Sequence, residues 1–443
     1  MRDLIALLIT FVIFLLMLKN FKSYINTIFI LFFLINFLGQ RGVNHYPFTL
    51  SSNLPPFTIL LFYAILIIYL IRGNKKLELF NQLPFSNLIY LLMFLISFAA
   101  IRSFFEVYDV AYFEPNDGLF RMRYFIKFTL LGLIYFIIIS LPNSSKLIRN
   151  YIIALNVLTL LTAIITIAIY IMDIELKGVA ISEDGNRIVW GGLGEWLPGI
   201  LLINLLYFKF SSLSYKQISI ILLVLGIFTI WLSKTRNQIM FIILPILLIL
   251  LNRGLGRFFR LIIVLFLILL PIIFYGDELG VNLGFTRFSK FDDITIDSEE
   301  QLDPVYYDQA PHKLKPLLWS FYQTRNLSDF LFGHGLGFRE YSGRTHYHSG
   351  IGYAYGSLGI LGIITILLLS YKLVRYYRKY IINSKDLNAI IIEVVLAQFI
   401  ALLLVSPFTG TLIQAFNLFG FGFRFGILEI CRRNIKDNYQ IKL

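Results

Sequence analysis

Three stretches of this chain carry polar side chains whose types and spacing could do chemistry. The first is Asp184-Gly-Asn-Arg187-Ile-Val-Trp-Gly-Gly-Leu-Gly-Glu195, where an arginine stands among four glycines. Glycine lets backbone come close to a ligand, and a guanidinium grips two phosphate oxygens in a planar fork. Arg187 is thus a candidate phosphate clamp, and equally an interfacial arginine meeting lipid headgroups. The second is Ser233-Lys-Thr-Arg236-Asn-Gln238, a tight turn between two apolar runs. An arginine between paired helices at membrane depth is costly and lines a cavity or pairs with an anion. A cation snorkelling from a helix end fits the same residue. Lys234 points elsewhere if the turn is helical, which leaves Arg236 as the candidate.

The third stretch is Phe332-Gly-His-Gly-Leu-Gly-Phe338, followed by Arg339, Arg344, His346, Tyr347 and His348, and running into Gly352-Tyr-Ala-Tyr-Gly356-Ser-Leu-Gly359-Ile-Leu-Gly362. Histidine takes up or hands over a proton near neutral pH. His348 stands at the mouth of its helix, where a general base or a hydrogen-bond positioner fits. Gly352 and Gly356 read as close helix packing of the small-xxx-small kind. His346 and His348 share a face if the segment is extended. Two imidazoles are too few for a closed zinc site, and no carboxylate or thiolate has a companion spacing, so no metal site is assigned. His45, His312 and His334 read as loop histidines without a chemical role.

The elements that must position these residues are membrane helices. Of the 443 residues, 58% are hydrophobic, 16% aromatic and only 15% charged, with a mean hydropathy of +0.75. Soluble domains carry about 25% charged residues. The formal charge of +13 lies in short links between apolar runs, which argues for topology signals and against a nucleic-acid stripe. The one cysteine, Cys431, excludes an internal disulfide and a cysteine-based zinc site.

Crossing the hydrocarbon takes roughly 20 apolar residues. Runs of that kind predict spans near 4–19, 24–39, 57–71, 87–101, 123–141, 151–171, 196–209, 218–233, 237–251, 261–275, 350–371, 387–406 and 411–430, twelve or thirteen in all. The first run is read as a retained helix, because no small-residue cleavage site follows it. With alternating spans, the basic links at Arg72/Lys75/Lys76, Lys146/Arg149, Lys209/Lys216, Arg253/Arg257/Arg260 and Lys372/Arg375/Arg378/Lys379, with Arg432/Arg433/Lys436, share one side. The positive-inside rule makes that side cytoplasmic. The acidic links then face outward, and so does the amino terminus. The longest polar interruption, 276–348, is a large outward loop within one transmembrane domain spanning 1–443. Apolar residues at helical spacing from Pro316 to Tyr322 predict a short helix along the membrane surface, so the loop reads as a partly ordered lid.

Phosphate-binding GxxxxGK[ST], G-x-S-x-G and H-E-x-x-H patterns are absent from the sequence, which disfavours ATP-driven transport and serine or zinc hydrolysis. Positively, the chain resembles the O-antigen ligase/polymerase superfamily of integral membrane glycosyltransferases. His348 is followed at eleven and fourteen positions by Gly359 and Gly362, similar to the family's histidine with a later G-x-x-G. Trp319 ahead of Leu331-Phe-Gly333-His-Gly335-Leu-Gly337-Phe is similar to its tryptophan and Leu/Phe-Gly-x-Gly-x-Gly stretch. Ser233-Lys-Thr-Arg236 is similar to its Ser-x-x-Arg turn. Arg187 ahead of glycines and Pro198 resembles its arginine-glycine-proline segment, with Gly199 where that family has asparagine.

The resemblance covers roughly 187–369. It implies an all-α polytopic fold of the GT-C glycosyltransferase type, with the large loop preceding the helix that carries the catalytic histidine. It maps the diphosphate-binding arginines to Arg187 and Arg236 and the catalytic histidine to His348. Arg339, Arg344 and His346 are substrate-binding candidates by nearness alone. The implied donor and acceptor are undecaprenyl-diphosphate-linked oligosaccharides at the outer face of the cytoplasmic membrane. The implied partners are the lipid bilayer, a chain-length regulator and a repeat-unit flippase, with no nucleic acid and no nucleotide, metal or other cofactor. Polymerase is favoured over ligase because only the skeleton of the motifs is kept. A glycolipid flippase is the alternative of another class, since many spans and arginines at depth are shared with transporters.

Overall fold

The structure, a computed structural model, describes residues 83–105, 145–172, 180–181, 188–189, 193–233, 236–254, 324, 326–335, 350–381, 386–406 and 424–437. Among the described residues the chain is helical apart from one two-residue ladder. The elements in order are α1 (Ser86–Phe105), α2 (Ser145–Met172), β1 (Ala180–Ile181), β2 (Ile188–Val189), α3 (Leu193–Tyr207), α4 (Leu213–Ser233), α5 (Arg236–Arg253), α6 (Leu327–Phe332), α7 (Gly350–Arg378), α8 (Leu387–Val405) and α9 (Arg424–Lys436). β1 and β2 pair antiparallel, with Ala180 opposite Val189 and Ile181 opposite Ile188.

Four helices are long and apolar enough to cross a membrane, at Leu147–Ala168, Leu213–Ile230, Ala354–Arg378 and Leu387–Val405. Ser86–Ala99, Leu197–Phe210 and Phe241–Arg253 are shorter apolar helices. These lengths and compositions define an all-α membrane protein. The predicted spans 4–19, 24–39, 57–71, 123–141 and 261–275, and the surface helix at Pro316–Tyr322, lie outside the described residues. Of the last predicted span, 411–430, residues 411–423 lie outside the described residues. The described helix there is Arg424–Lys436, whose final turns hold Arg432, Arg433 and Lys436.

Helix α8 forms the centre. Almost every residue from Leu387 to Val405 is buried, so it is apolar all round, as expected of a helix walled by other helices. Helices α5, α9, α3 and α7 pack around it. Lipid tails are as apolar as leucine, so close backbone approach and polar links hold such helices together. Gly226 on α4 gives one approach: a Cβ there would stand 2.6 Å from Leu201 of α3. Gly199, beside Pro198, gives another, for its missing Cβ would lie 2.5 Å from the Gln398 amide of α8.

A closed polar ring gives a third link. Asn156 of α2 donates to the Tyr215 hydroxyl of α4 at 3.1 Å, Tyr215 donates to Asn204 Oδ1 of α3 at 2.7 Å, and Asn204 donates to Asn156 Oδ1 at 2.9 Å. Each member is buried and bonded within the ring.

Helix directions follow from the contacts. Arg253 at the end of α5 chelates Glu393 near the start of α8, and Arg378 at the end of α7 reaches Asn252. At the opposite end, the Gly350 N–H that opens α7 donates to the Ser406 carbonyl that closes α8, at 2.8 Å. Helix α1 runs against α7, and Phe85 just before it meets Tyr376 edge-on and Tyr377 at a tilt. The bundle therefore has an Arg253 end, which gathers the basic helix termini, and an Arg102 end, where α1 and α4 finish and α3, α5 and α7 begin.

Candidate functional site

At the Arg102 end a short helix is wedged against α1 and α7. Its start is set by Asn326, whose side chain accepts from Asp329 N–H at 2.8 Å, and its stop by Gly333, whose N–H donates to the Asp329 carbonyl at 2.8 Å. An N-cap asparagine and a glycine stop define α6 at six residues. Its aromatic side chains dock on both neighbours: Phe332 lies 4.9 Å from Phe98 of α1, and Phe330 meets Tyr355 of α7 edge-on at 6.5 Å. Tyr355 also bonds Thr324 at 2.9 Å.

Helix α7 is broken where α6 meets it. Gly359 has φ 67° and ψ −168°, and Gly333 has φ 73° and ψ −170°. That region of backbone space is essentially reserved for glycine. The two residues lie backbone to backbone: a Cβ on Gly333 would stand 2.6 Å from the Gly359 and Leu358 nitrogens, and one on Gly359 would strike Leu331. A break in a helix interrupts its ladder, and buried carbonyls must find other donors. The Gly356 carbonyl finds the His334 N–H at 2.6 Å. Gly359 lies nine residues into α7, about 13 Å along it. Helix α6 keeps Leu327 and Phe330 exposed, whereas Asp329 and the Gly333–Gly335 segment that follows are buried and seal the break, a setting in which irregular backbone is tolerated at membrane depth.

One guanidinium secures this wedge. Arg102 Nη2 meets Asp329 Oδ1 at 2.5 Å, while Nη1 donates to the carbonyls of Gly333 and of Ser328, the latter at 3.3 Å. The side chains of Arg102 and Asp329 are 10% and 8% exposed, which makes this an interior ion pair. The imidazole of His334, 5% exposed, faces the other Asp329 oxygen with Nδ1 4.0 Å away. His334 lies in a loop, as its glycine-rich surroundings suggested, and that loop is buried.

Of the residues singled out from sequence, Arg187, Arg339, Arg344, His346 and His348 lie outside the described residues. Arg236 is the first residue of α5. The described neighbours of Arg187 and His348 have definite places. Ile188 sits in β2, which packs on α4, and Gly350 starts α7. Arg236 lies 17 residues before Arg253, about 25 Å along α5, at the end where Ser406 receives Gly350. Ile188, the Arg236 backbone and Gly350 thus belong to the same end of the bundle.

Arg102 and Asp329 were missed in the sequence. The signals were present but faint: a lone cation at the close of an apolar run, and Asn326-x-x-Asp329 in a helix-start pattern. The fold and this end of it define the class, an all-helical membrane protein with a sealed helix break beside its polar segment. Neither the protein families nor the curated proteins compared with the chain give a match.

Proposed function

We propose that the protein is a GT-C-type membrane glycosyltransferase that polymerises lipid-linked oligosaccharide repeat units at the outer face of the cytoplasmic membrane. The observation that carries the reading is the convergence at one end: Ile188, the Arg236 backbone and Gly350 stand beside or at the three residues the motifs select. The Gly333–Gly359 contact adds support, because it joins the two glycine motifs that surround His348 in sequence.

In this reaction the hydroxyl of an acceptor sugar attacks the anomeric carbon of a glycan held on undecaprenyl diphosphate. A new glycosidic C–O bond forms as the bond to the diphosphate oxygen breaks. His348 orients the hydroxyl and takes its proton. Arg187 and Arg236 stabilise the negative charge that grows on the departing lipid diphosphate, an electrostatic contribution that is largest where water is excluded. Direct displacement inverts the anomeric centre. The acceptor is another lipid-linked repeat, so the product is a longer lipid-linked chain.

The test uses purified full-length protein in detergent, lipid-linked repeats and no ion gradient. Glycan lengthening is expected, and it drops by about 10²-fold or more in Arg236→Ala and His348→Ala. An unchanged pool with the wild-type protein overturns the reading and leaves a transporter. Transfer to lipid A core but not to a second repeat makes the protein a ligase. A fully active His348→Ala removes the histidine from the mechanism.

A further inference from the structure

The wedge at the Arg102 end does more than fill space. The chain leaves it at Gly335 and re-enters the described structure at Gly350, so both feet of the intervening segment rest on α7. Gly350 is tied to Ser406 of α8, and His334 to Gly356 of α7. Those ties fix one foot to the central helix and the other to the broken one. The depth of the second foot depends on where α6 sits, and α6 is held by Arg102 from a third helix.

Arg102 is suited to that task in a way lysine is not. Its planar fork reaches a carboxylate and two carbonyls at once, and those oxygens come from Ser328, Asp329 and Gly333. The fork thus spans α6 from its first turn to its stop. An ammonium is a point charge that can keep the carboxylate but cannot reproduce the planar fork. Asp329 presents Oδ1 to the Arg102 guanidinium of α1 while its own N–H is capped by the Asn326 side chain. This arrangement fixes α6 against rotation as well as against withdrawal.

We propose that Arg102 and Asp329 are positioning residues for the reaction assigned above: without touching substrate, they set the place from which the chain departs toward Arg339, Arg344 and His348. The inference rests on the polymerase reading for its catalytic consequence and on geometry alone for its structural one. A displacement of about 1 Å at a reacting group is enough to lose roughly 10²-fold in rate.

Two measurements on the full-length protein in detergent test it. In the first, Arg102→Lys lowers kcat for glycan lengthening by about 10²-fold with KM changed by no more than about twofold, because substrate contacts remain. Asp329→Asn behaves likewise, and Asp329→Glu recovers a substantial part of kcat. In the second, limited trypsin digestion cuts after Arg339 and Arg344 several-fold faster in Arg102→Lys, while cutting after Lys379 at the other end of the bundle keeps its wild-type rate. If the wild-type protein does not lengthen glycan, the polymerase reading fails and digestion alone decides the positioning claim. Wild-type digestion rates in Arg102→Lys overturn the claim, as does wild-type kcat where the protein is active. Loss of folded protein in Arg102→Lys also overturns it, in favour of a purely structural pair.

Discussion

The two ends of the bundle are held by opposite means. At the Arg253 end the links are charged side chains, and those at Glu429 are redundant. Glu429 receives Arg432 through two bonds of 2.9 and 2.7 Å, has Arg433 at 3.7 Å and accepts from the Tyr377 hydroxyl at 3.2 Å. Arg432 is further held over the rings of Tyr376 and Tyr380. Glu393 is chelated by Arg253 at 3.0 and 2.5 Å. At the Arg102 end, by contrast, two glycine backbones meet with no room for a single carbon, and one guanidinium locks the piece that brings them together. Redundant links let side chains adjust when one is lost. A backbone contact has no such slack, so the Arg253 end is built as a fixed base and the Arg102 end as a geometry-sensitive mount.

The largest effect that sharpens this contrast is expected from Gly359→Ala. The new methyl must occupy the Leu331 carbonyl region and hold a backbone conformation that only glycine adopts easily. The conformational strain costs roughly 1–3 kcal/mol, and overpacking against backbone adds roughly 1–3 kcal/mol. Both costs fall on the contact that seats α6 against α7. The expected outcome is release of α6, seen as a fall in the apparent Tm of the detergent-solubilised protein. Retention of the wild-type Tm would show that the glycine contact bears no strain.

Next in size comes Arg253→Met at the other end. Glu393 is 3% exposed and Arg253 23%, so removing the arginine leaves a carboxylate buried without its chelating partner. Breaking buried pairs typically costs 3–5 kcal/mol, and the partial exposure of Arg253 places the loss at about 3. The double change Arg253→Met with Glu393→Gln should recover most of it, because the uncompensated charge is then gone. Thermal unfolding of the wild type, the single and the double variant checks this. A double variant no better than the single one would break the account of this end as charge-dependent.

How much of this was legible in the sequence differs between the ends for the same physical reason. Apolar runs announced α1, α3, α4, α5 and α8 within a few residues, because hydrocarbon demands uninterrupted apolar helix and the demand is local in sequence. Termini were less legible where charged or aromatic residues continue a helix beyond the apolar run. Helix α2 begins at Ser145 and takes in Lys146 and Arg149, and α7 continues through Tyr371 to Arg378. The grouping of basic residues at one end followed from simple alternation of spans. The wedge did not. Arg102 and Asp329 are 227 positions apart, and no periodicity links them. Gly359 was noticed as half of a motif, yet its service to Gly333 is a contact between two backbones, which leaves no mark on residue type beyond the glycines themselves. The same holds for Asn156, Asn204 and Tyr215, three unremarkable positions on separate helices until folding closes their ring.

The smallest effect belongs to Asp386, which caps α8 at the Arg253 end and accepts from Asn388 N–H at 3.3 Å. Burial pushes its carboxyl above its ordinary value of 3.8, outweighing the hydrogen bonds from Asn388 and Leu387 that pull it down. An acid raised on folding binds its proton more tightly in the folded protein. Its stabilising contribution is therefore fully present below 3.8 and fades as pH rises through the raised folded value, so that at neutral pH the charged cap is a slight liability. Asp386→Asn keeps a capping oxygen and removes the titration. The expected outcome is an apparent Tm that no longer declines over the acid window opening at 3.8 and that matches or slightly exceeds the wild type at neutral pH. The same comparison made with Asp329→Asn, which removes the carboxylate beneath Arg102, should lower Tm at neutral pH instead. If both variants shift alike, the two ends do not differ in the way their bonds suggest, and the contrast between a fixed base and a geometry-sensitive mount fails.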